Sequence, residues 1–407
     1  MSKKIVLVLT GLMMIAGFAA WVLQYREGLI LTDLRNSYSW GLYVSGLAFF
    51  VGNAAGGLVL SSLIYLFGVT ALKPFARIGA LTAFANVTAA MLAILPDIGQ
   101  PVRLYNMLLH PKLSSPLVWD VGVLNLYAIL SLVYLYLLML PDLKGPLARI
   151  ALKVENPSEF SEKWARRIAP FSLIAAIGIH VVTAWIFSTQ GAREWWHSAV
   201  LAPDFVAAAI ASGTSVVMVV AVLVYGVKEE FREAYRIMSL MITVSLLVHI
   251  FFMYNDYFIQ AWYGASESME TLSITFKDYL WAHAFEVLAP LAAVLLLSRE
   301  KVRTSASAVV VSCLLLIAGI FTHRFLLMPA AFGKIPLTFP PMGLQGVEWS
   351  VPIASGRYDP TVDTFVTHAH YFPTGIEITI FLAVLAFACF LITLAVDRLP
   401  IVKKVQS

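Results

Sequence analysis

Long apolar runs alternate with short polar connections along the whole chain. A run of about 20 apolar residues is long enough to cross a bilayer as a helix. We count ten such runs, at residues 5–23, 40–68, 75–96, 117–140, 168–188, 205–226, 236–262, 279–297, 306–323 and 376–396. The pattern predicts an all-α polytopic membrane protein with about ten transmembrane helices.

The first apolar run is the one most easily mistaken for a cleaved signal peptide. Lys3 and Lys4 precede it and it ends close to Ala19 and Ala20, an arrangement typical of such signals. The run is longer than the usual apolar core of about 7–15 residues. We therefore interpret residues 1–39 as a retained anchor helix and an outer loop.

The overall composition supports this class and excludes others. Of the 407 residues, 60% are hydrophobic and 13% are charged, whereas soluble domains carry about 25% charged residues. The formal net charge of +4 is small and scattered, which argues against a nucleic-acid-binding protein. Lipid is therefore the expected solvent for most of the surface.

Lysine and arginine are unevenly divided between the two sides of the membrane. The termini and the connections after even-numbered spans hold 19 of the 28 basic residues. Because cytoplasmic loops are enriched in Lys and Arg, we predict a cell (cytoplasmic) membrane protein with both termini cytoplasmic. The connection at residues 324–375 is too long for a plain turn, and we expect it to fold over the outer surface or to meet a partner.

A weak internal repeat divides the spans into two groups. Arg77 and Asp97 lie 20 residues apart in the third span, and Arg236 and Asp256 have the same separation in the seventh. We predict two tandem four-helix bundles plus two extra helices, since an even number of helices per unit makes the repeat parallel. The predicted organisation is an anchor region (1–39), a first bundle (40–190), a second bundle (191–323), a long outer segment (324–375), and a tenth helix with a cytoplasmic tail (376–407).

Ionisable side chains within the predicted spans are concentrated toward one side. Each costs a few kcal/mol at membrane depth, so each needs a partner or a function. His249 lies near the centre of its span, and nine others lie outward of the midplane. The nine are Asp97, Asp120, His180, Asp204, Asp256, His283, Glu286, His323 and Glu377.

This asymmetry favours a pocket that opens to one face over a pore. A pore or a transporter needs polar groups through both leaflets, or a gated route between them. A quinone instead needs lipid for its tail, and hydrogen-bond donors and proton carriers for its two oxygens. We predict a quinone site near the outer face, with Asp97 and His180 as proton acceptors and Asp120 as an orienting group.

Further residues are candidates for lining this site or for a separate route. Trp40, Tyr43 and Asn53 are weaker candidates for lining the quinone pocket. A second possible proton route is formed by His249, Asp256, His283, Glu286, His323 and Glu377.

Several of these side chains have structural explanations as well. Asp120 and Asp204 follow prolines near helix starts, where a carboxylate can cap exposed N–H groups. His323 is next to Arg324 and can be a membrane-interface residue. A b-type haem with two axial histidines is a further alternative, although neither bundle offers an obvious pair at one depth.

The chain offers few ligands for a metal cofactor of its own. Cys313 and Cys389 stand alone in apolar runs, so neither an iron–sulfur cluster nor a structural zinc is expected. The pair His368-x-His370 is half a metal site without further ligands. We expect no metal site, haem or iron–sulfur cluster here, and a partner must then carry the electrons.

At several motifs the chain resembles the NrfD/polysulfide-reductase family of integral membrane subunits. The matching stretches are Trp40-Gly41-Leu42-Tyr43, Gly52-Asn53-Ala54-Ala55-Gly56-Gly57, Asp97-Ile98-Gly99-Gln100-Pro101, Ser115-Pro116-Leu117-Val118-Trp119-Asp120, His180 through Trp185, Trp196-His197-Ser198, Pro203-Asp204-Phe205, and Tyr371-Phe372-Pro373-Thr374 before Glu377. The match covers most of the chain. Its ten spans resemble the branch that contains HmcC, QrcD and DsrP, and DsrP in particular.

The resemblance implies a menaquinone or similar quinone as substrate, bound near the outer face and mainly in the first bundle. It also implies a ferredoxin-like iron–sulfur subunit docked there, and a larger complex with cytochrome and heterodisulfide-reductase-like subunits linked to dissimilatory sulfur metabolism. The family pattern D-x-G-R-P has Gln100 in the arginine place here. Arg103, three residues on, is the candidate to replace that arginine at the cofactor and partner contact.

Three functions therefore stay open at the level of sequence. The first is a quinone-interacting subunit of a menaquinol or quinone oxidoreductase complex. The second is a redox-coupled proton-translocating subunit, against which the nearly empty inner halves of the spans argue. The third is a passive membrane anchor for an outer redox subunit, against which the cost of the intramembrane ionisable groups argues.

Overall fold

The described part of the chain is almost entirely helical. The computed structural model describes residues 2–334, 338–339, 349–350, 353–354, 365–366 and 368–402. Its α-helices are α1 Lys3–Glu27, α2 Leu42–Leu66, α3 Ala76–Ile94, α4 Leu104–Leu109, α5 Pro116–Met139, α6 Pro157–Ser188, α7 Leu201–Tyr225, α8 Arg232–Tyr263, α9 Ser266–Ser273, α10 Leu280–Ser298, α11 Glu300–Arg303, α12 Ala306–Phe332 and α13 Gly375–Arg398. The short strands β1 Thr338–Phe339 and β2 Trp349–Ser350 pair antiparallel, as do β3 Ile353–Ala354 and β4 Phe365–Val366.

Ten of these helices are long and apolar enough to cross a membrane, which confirms the predicted all-α polytopic fold. They are α1, α2, α3, α5, α6, α7, α8, α10, α12 and α13. The two largest differences from the predicted boundaries are that α6 begins at Pro157 instead of residue 168, and that α12 continues to Phe332 instead of ending at His323. The apolar residues after Arg324 extend the helix, so the start of the predicted outer segment is helical.

Local sequence signals explain where several helices begin and end. Pro116 and Pro157 occupy the first positions of α5 and α6. A backbone N–H at that position has no acceptor within the helix, so proline loses no hydrogen bond there. At the start of α13, Thr374 and Glu377 form a capping box, each side chain bonding the other's backbone N–H. Gly264 ends α8 in the left-handed conformation that favours glycine.

The membrane-length helices form two rings of four and one added pair. Helices α2, α3, α5 and α6 pack around one ring, and α7, α8, α10 and α12 around the other. The rings meet where α2 packs against α7, while α1 pairs with α13 beside α3. This arrangement agrees with two tandem bundles and two additional helices.

The two rings are joined through one glycine of α2 and one of α7. A methyl group at Gly56 of α2 would overlap the backbone of Gly213 and Thr214 in α7, and a methyl at Gly213 would overlap the backbone of Gly56. In lipid, where helices gain little from hydrophobic burial, such close backbone approach supplies the packing energy. The close contact of Gly56 with Gly213 therefore holds the two rings together.

We expect Gly56→Ala to destabilise the protein by about 1–3 kcal/mol, the usual cost of overpacking, because backbone atoms must move. Thermal unfolding of the purified complex measures the effect. Gly178→Ala on α6 is the matched control, since a methyl there meets no atom within 4 Å. Equal midpoints for the two variants would contradict a tight α2–α7 contact.

The two ends of the molecule differ in polarity. Lys3 lies 3.9 Å from Asp397, so the two ends of the described chain lie on one side. Toward that side the space between the rings is filled by apolar side chains, with Met238, Ile242 and Leu246 of α8 among them. The buried ionisable groups of the spans lie mostly toward the opposite side, which we call the outer end. One pair at the terminal side, Arg77 with Asp142, fixes α3 to the end of α5.

Candidate functional site

Two separate groups of buried polar side chains lie near the outer end. The first, which we call the Asp97 group, consists of Gln24, Tyr43, Asp97, Tyr371 and Glu377. The second, which we call the histidine–carboxylate network, consists of Asp204, His249, His283, Glu286 and His323. The Asp97 group lies where α1 and α3 end and where α2 and α13 begin. The network lies within the second ring.

Asp97 is the member of its group with an unused oxygen. It follows α3 in a short 3₁₀ turn, Leu95–Ile98, and its Oδ1 is buried without a hydrogen-bond partner. Burying an unpaired carboxylate oxygen is costly. Such an atom is available to a ligand that brings a donor, such as a hydroxyl group.

Tyr43 and Gln24 hold the helices around Asp97 in place. The Tyr43 hydroxyl donates to Gln24 Oε1 at 2.5 Å, and Gln24 Nε2 donates to the Pro96 carbonyl at 2.9 Å. The negative charges of Glu377 and Asp97 both act on the Tyr43 hydroxyl. These bonds tie α1 and α2 to the end of α3 immediately before Asp97.

Glu377 belongs to this group and not to the second ring. Its Oε1 accepts from the Tyr371 hydroxyl at 2.5 Å, and its Oε2 accepts from the backbone N–H groups of Asp33 and Thr374 at 3.0 and 2.9 Å. Tyr371 in turn accepts from the Leu42 N–H at 2.8 Å. Both Glu377 oxygens are thus occupied, and the side chain fastens α13 to the start of α2.

His180 and Asp120 lie in the first ring, each with partners of its own. His180 Nδ1 lies 2.6 Å from the Ala176 carbonyl and Nε2 lies 3.1 Å from the Val51 carbonyl. A neutral imidazole carries one N–H, so it can donate to only one of them. Asp120 Oδ1 accepts from Thr183 at 2.6 Å. Its carboxylate therefore bonds across to α6, and the capping interpretation of Asp120 is wrong.

The remaining predicted pocket residues are dispersed. Trp40 stacks on Trp196 with ring centroids 5.4 Å apart, within an outer aromatic cluster. Asn53 is buried at the contact of α2 with α7, and its Oδ1 has no partner. Arg103 is exposed at the outer surface. Tyr43 is therefore the predicted lining residue that the structure places with Asp97.

The histidine–carboxylate network links all four helices of the second ring. Asp204 Oδ1 lies 2.5 Å from His249 Nδ1, and Asp204 Oδ2 lies 3.4 Å from His323 Nε2. His323 Nδ1 lies 3.0 Å from Glu286 Oε2, and Glu286 Oε1 lies 2.6 Å from His283 Nδ1. The five side chains are all buried. They form one chain of neighbouring proton donors and acceptors.

This geometry corrects two structural interpretations of the sequence. The Asp204 carboxylate contacts two histidines and does not cap α7. His323 is buried, as is Arg324 beside it, so neither is a membrane-interface residue. Arg324 lies over the Phe205 ring at 3.6 Å and donates to the Phe205 carbonyl at 3.3 Å.

A small pocket reaches the network from its outer side. Its volume is about 40 Å³, and Asp204, His323 and Asp256 contribute its polar groups. A cavity needs roughly 10–15 Å³ to hold one water molecule, so this pocket has room for water. Asp256 accepts from Ser198 at 2.7 Å and from Gln260 at 3.1 Å. Asp256 thus lines the same pocket as Asp204 and His323 of the network.

The network also contains a possible set of metal ligands. Ligand atoms of Asp204, His249 and His323 lie within 4.8 Å of one another, and histidine with carboxylate suits several divalent ions. The nearby guanidinium of Arg324, however, brings a fixed positive charge into the field of Asp204. The Asp204 oxygen and the His249 nitrogen that would bind a metal already contact each other directly. A hydrogen-bonded network therefore fits these residues better than a metal.

A further polar contact lies outside the spans. Glu270 of α9 lies 2.7 Å from Lys334 Nζ and 2.8 Å from His368 Nε2. Partial burial opposes ionisation of Glu270, but the hydrogen bond and charge of Lys334, with His368, lower its pKa below the usual value. The contact fixes α9 to two points of the predicted outer segment, one near each of its ends.

Sequence reasoning missed two residues of the Asp97 group, Gln24 and Tyr371, and the buried Arg324 beside the network. Gln24 comes just after the first apolar run, so it reads as part of a loop, and Arg324 comes just after the ninth. Tyr371 carries no charge and therefore gives no signal from the cost of burial. Polar side chains within one turn of a predicted span end are the signal that could have found Gln24 and Arg324.

The chain is similar to membrane components of known redox enzymes. It is 30% identical over 405 residues to a putative dimethyl sulfoxide reductase membrane subunit of Halobacterium salinarum, covering 96% of this chain and 90% of that protein. It is 27% identical over 277 residues to a selenate reductase subunit of Mesobacillus selenatarsenatis, covering 61% and 64%.

An Hdr-like menaquinol oxidoreductase integral membrane subunit of Archaeoglobus fulgidus is 30% identical over 202 residues, which cover 50% of this chain and 46% of that protein. The sequence model described as polysulphide reductase, NrfD matches residues 31–336. This range contains both helical rings and Asp97. The chain is a multi-pass membrane protein that belongs to the polysulphide reductase NrfD family.

Proposed function

We propose that this chain is the quinone-interacting membrane subunit of a multi-subunit respiratory redox complex. Menaquinol or menaquinone binds near the outer face, and electrons pass between it and a docked iron–sulfur subunit. The observation that carries the proposal is the buried, unpartnered Oδ1 of Asp97 at the outer end of the first ring. The relatives support it, since one is named as a menaquinol oxidoreductase subunit and others as reductase subunits.

In this proposal Asp97 acts as the proton acceptor. Oxidation of menaquinol releases two electrons and two protons, so each hydroxyl needs an acceptor. A hydroxyl that donates to Asp97 Oδ1 satisfies an atom that otherwise has no partner. The bonds from Tyr43 through Gln24 to Pro96 keep the Asp97 turn in place. Protons then leave on the outer side.

His180 and Asp120 take a supporting role in the same proposal. The His180 ring links α6 to α2 through the Val51 carbonyl, and the Asp120–Thr183 bond links α5 to α6. Together they fix the first ring below the outer face. We keep both as residues of the quinone region, and the His180→Ala variant described below separates the role of His180 from that of Asp97.

The surroundings of the chain follow from the same proposal. The excess of Lys and Arg at the termini and the connections after even-numbered spans supports a chain in the cytoplasmic membrane with both termini in the cytoplasm. A ferredoxin-like iron–sulfur subunit docks at the outer face, where Arg103 is exposed. We also propose a larger complex with heterodisulfide-reductase-like and cytochrome subunits, in sulfur or sulfite metabolism. The relative named as an Hdr-like menaquinol oxidoreductase subunit supports the heterodisulfide-reductase-like part of this proposal.

The histidine–carboxylate network favours a second function, redox-linked proton translocation. Its linked donors and acceptors can pass a proton between α8 and α10. The apolar side chains of Leu246 and Ile242, one and two turns from His249 on the terminal side, argue against a continuous path to the cytoplasm. Quinol oxidation with protons exchanged on one side is therefore the better-supported function.

One experiment on vesicles containing the purified complex tests both functions. We expect a lipid extract of the complex to contain menaquinone, and menaquinol oxidation by an added acceptor to release protons outside only. Proton uptake from the inside, in step with electrons, would instead support translocation through the second ring. Absence of both bound quinone and quinol oxidation would contradict the proposal and leave the chain as a membrane anchor.

A further inference from the structure

The added helices α1 and α13 enclose an apolar groove that leads toward Asp97. The groove has a volume of about 290 Å³ and is lined by apolar residues of α1, α3 and α13. For comparison, an engineered apolar cavity of about 150 Å³ accommodates benzene. The groove is therefore wide enough for a stretch of hydrocarbon chain.

Helix α1 packs along α13 but buries few of its own side chains, which leaves space on the side facing α3. Its buried residues are Gly17 and Gln24. Gly17 lies against Ala383 of α13, where a methyl group would overlap the Ala383 side chain. Gln24 bonds to Tyr43 and Pro96. The groove follows α1 from Met14 to Trp21, past the Gly17 contact and up to the turn before Gln24.

The outer end of the groove meets the Asp97 group. Trp21, Leu95 and Pro96 line both the groove and a narrower pocket that also contains Gln24 and Gly99. Pro96 is the residue before Asp97. From Met14 to Gln24 the helix rises about 15 Å, so a chain lying in the groove places its polar head beside the Asp97 turn.

The charged groups at the outer end of the groove favour a neutral quinol over a phospholipid. A phospholipid headgroup carries a phosphate that needs a cation, but neither the groove nor the narrow pocket is lined by Lys or Arg in the described residues. The carboxylates of Asp97 and Glu377 would repel a phosphate. A neutral quinol has no such charge, and its hydroxyl matches the free Oδ1 of Asp97.

We propose that the groove between α1, α3 and α13 binds the isoprenoid tail of the quinone and guides its head to Asp97. This inference rests on the proposed function and adds where the tail of the quinone lies and by which route its head reaches Asp97. The helix pair outside the two rings thereby acquires a role. It forms the entry from the lipid.

Plugging the groove separates tail binding from head binding. Leu92→Trp fills the groove from α3 without replacing any member of the Asp97 group. For the intact complex we expect the KM for a long-tailed menaquinol to rise about tenfold or more, because the head is held out of position. Oxidation of menadiol, which has the same ring and no tail, should stay unchanged. Leu240→Trp on the lipid-facing side of α8 is the matched control.

Three outcomes are informative. Equal changes for the two quinols, or the same rise of KM in Leu240→Trp, would overturn the tail groove while leaving the quinone site intact. Failure of the unmodified complex to oxidise either quinol would instead overturn the proposed function. If Leu92→Trp does not fold, a menaquinone with a photoreactive group on its first isoprene unit should label α1 and α13 of the unmodified complex. Labelling confined to other helices would overturn the inference.

Discussion

Replacing Asp97 by asparagine will lower kcat for menaquinol oxidation by about 100-fold or more. A positioned proton acceptor contributes roughly 10²–10⁴-fold to a rate, and an amide cannot accept a proton at neutral pH. The asparagine side chain has the same shape, and Asp97 Oδ1 has no bond to lose. The fold should therefore be retained. The measurement is steady-state oxidation by the intact complex.

The control for this prediction is Asp278→Asn, which removes a carboxylate from the exposed outer surface just before α10. It should leave kcat close to that of the unmodified complex. His180→Ala tests the other predicted acceptor, whose ring nitrogens face the carbonyls of Ala176 and Val51. If Asp97→Asn were as active as Asp278→Asn, the assignment of the proton acceptor would be wrong.

The end of the molecule toward which the buried ionisable groups gather could be predicted from the sequence. An ionisable group within a span is costly and therefore stands out in the sequence. Its distance from the two ends of the span gives its depth in the membrane. Asp97, His180 and Asp204 all lie toward the outer end, as expected. The ten spans were predictable for the same reason, since span length and apolar content are local properties.

Which buried groups contact one another could not be predicted in this way. Contacts depend on how each helix is rotated and on which helices are neighbours, and neither is set by depth. His180 and His323 were both predicted to lie outward of the midplane, yet one faces backbone carbonyls and the other lies between two carboxylates. Depth alone groups Glu377 with the second ring, but it lies with the Asp97 group because α13 packs beside α1 and α3.

Replacing Asp204 by asparagine should destabilise the protein by about 3–5 kcal/mol, the usual cost of removing one partner from a buried charge pair. Asp204 contacts His249 and His323, and it is the carboxylate whose charge acts on the buried guanidinium of Arg324. Without it, Arg324 retains the Phe205 carbonyl and ring as partners. Thermal unfolding of the purified complex measures the loss.

A double substitution tests whether the lost charge is the cause. If Asp204 stabilises the protein by balancing Arg324, then Arg324→Met should cost less in the Asp204→Asn background than in the unmodified chain, because the two residues are coupled. Asp256→Asn is the matched control, since Asp256 lines the same pocket but bonds to the neutral Ser198 and Gln260. Strictly additive effects, or an equal loss in Asp256→Asn, would mean that the network is not held together by charge balance. Menaquinol oxidation per folded complex should persist in Asp204→Asn, because Asp97 and its partners lie outside the second ring.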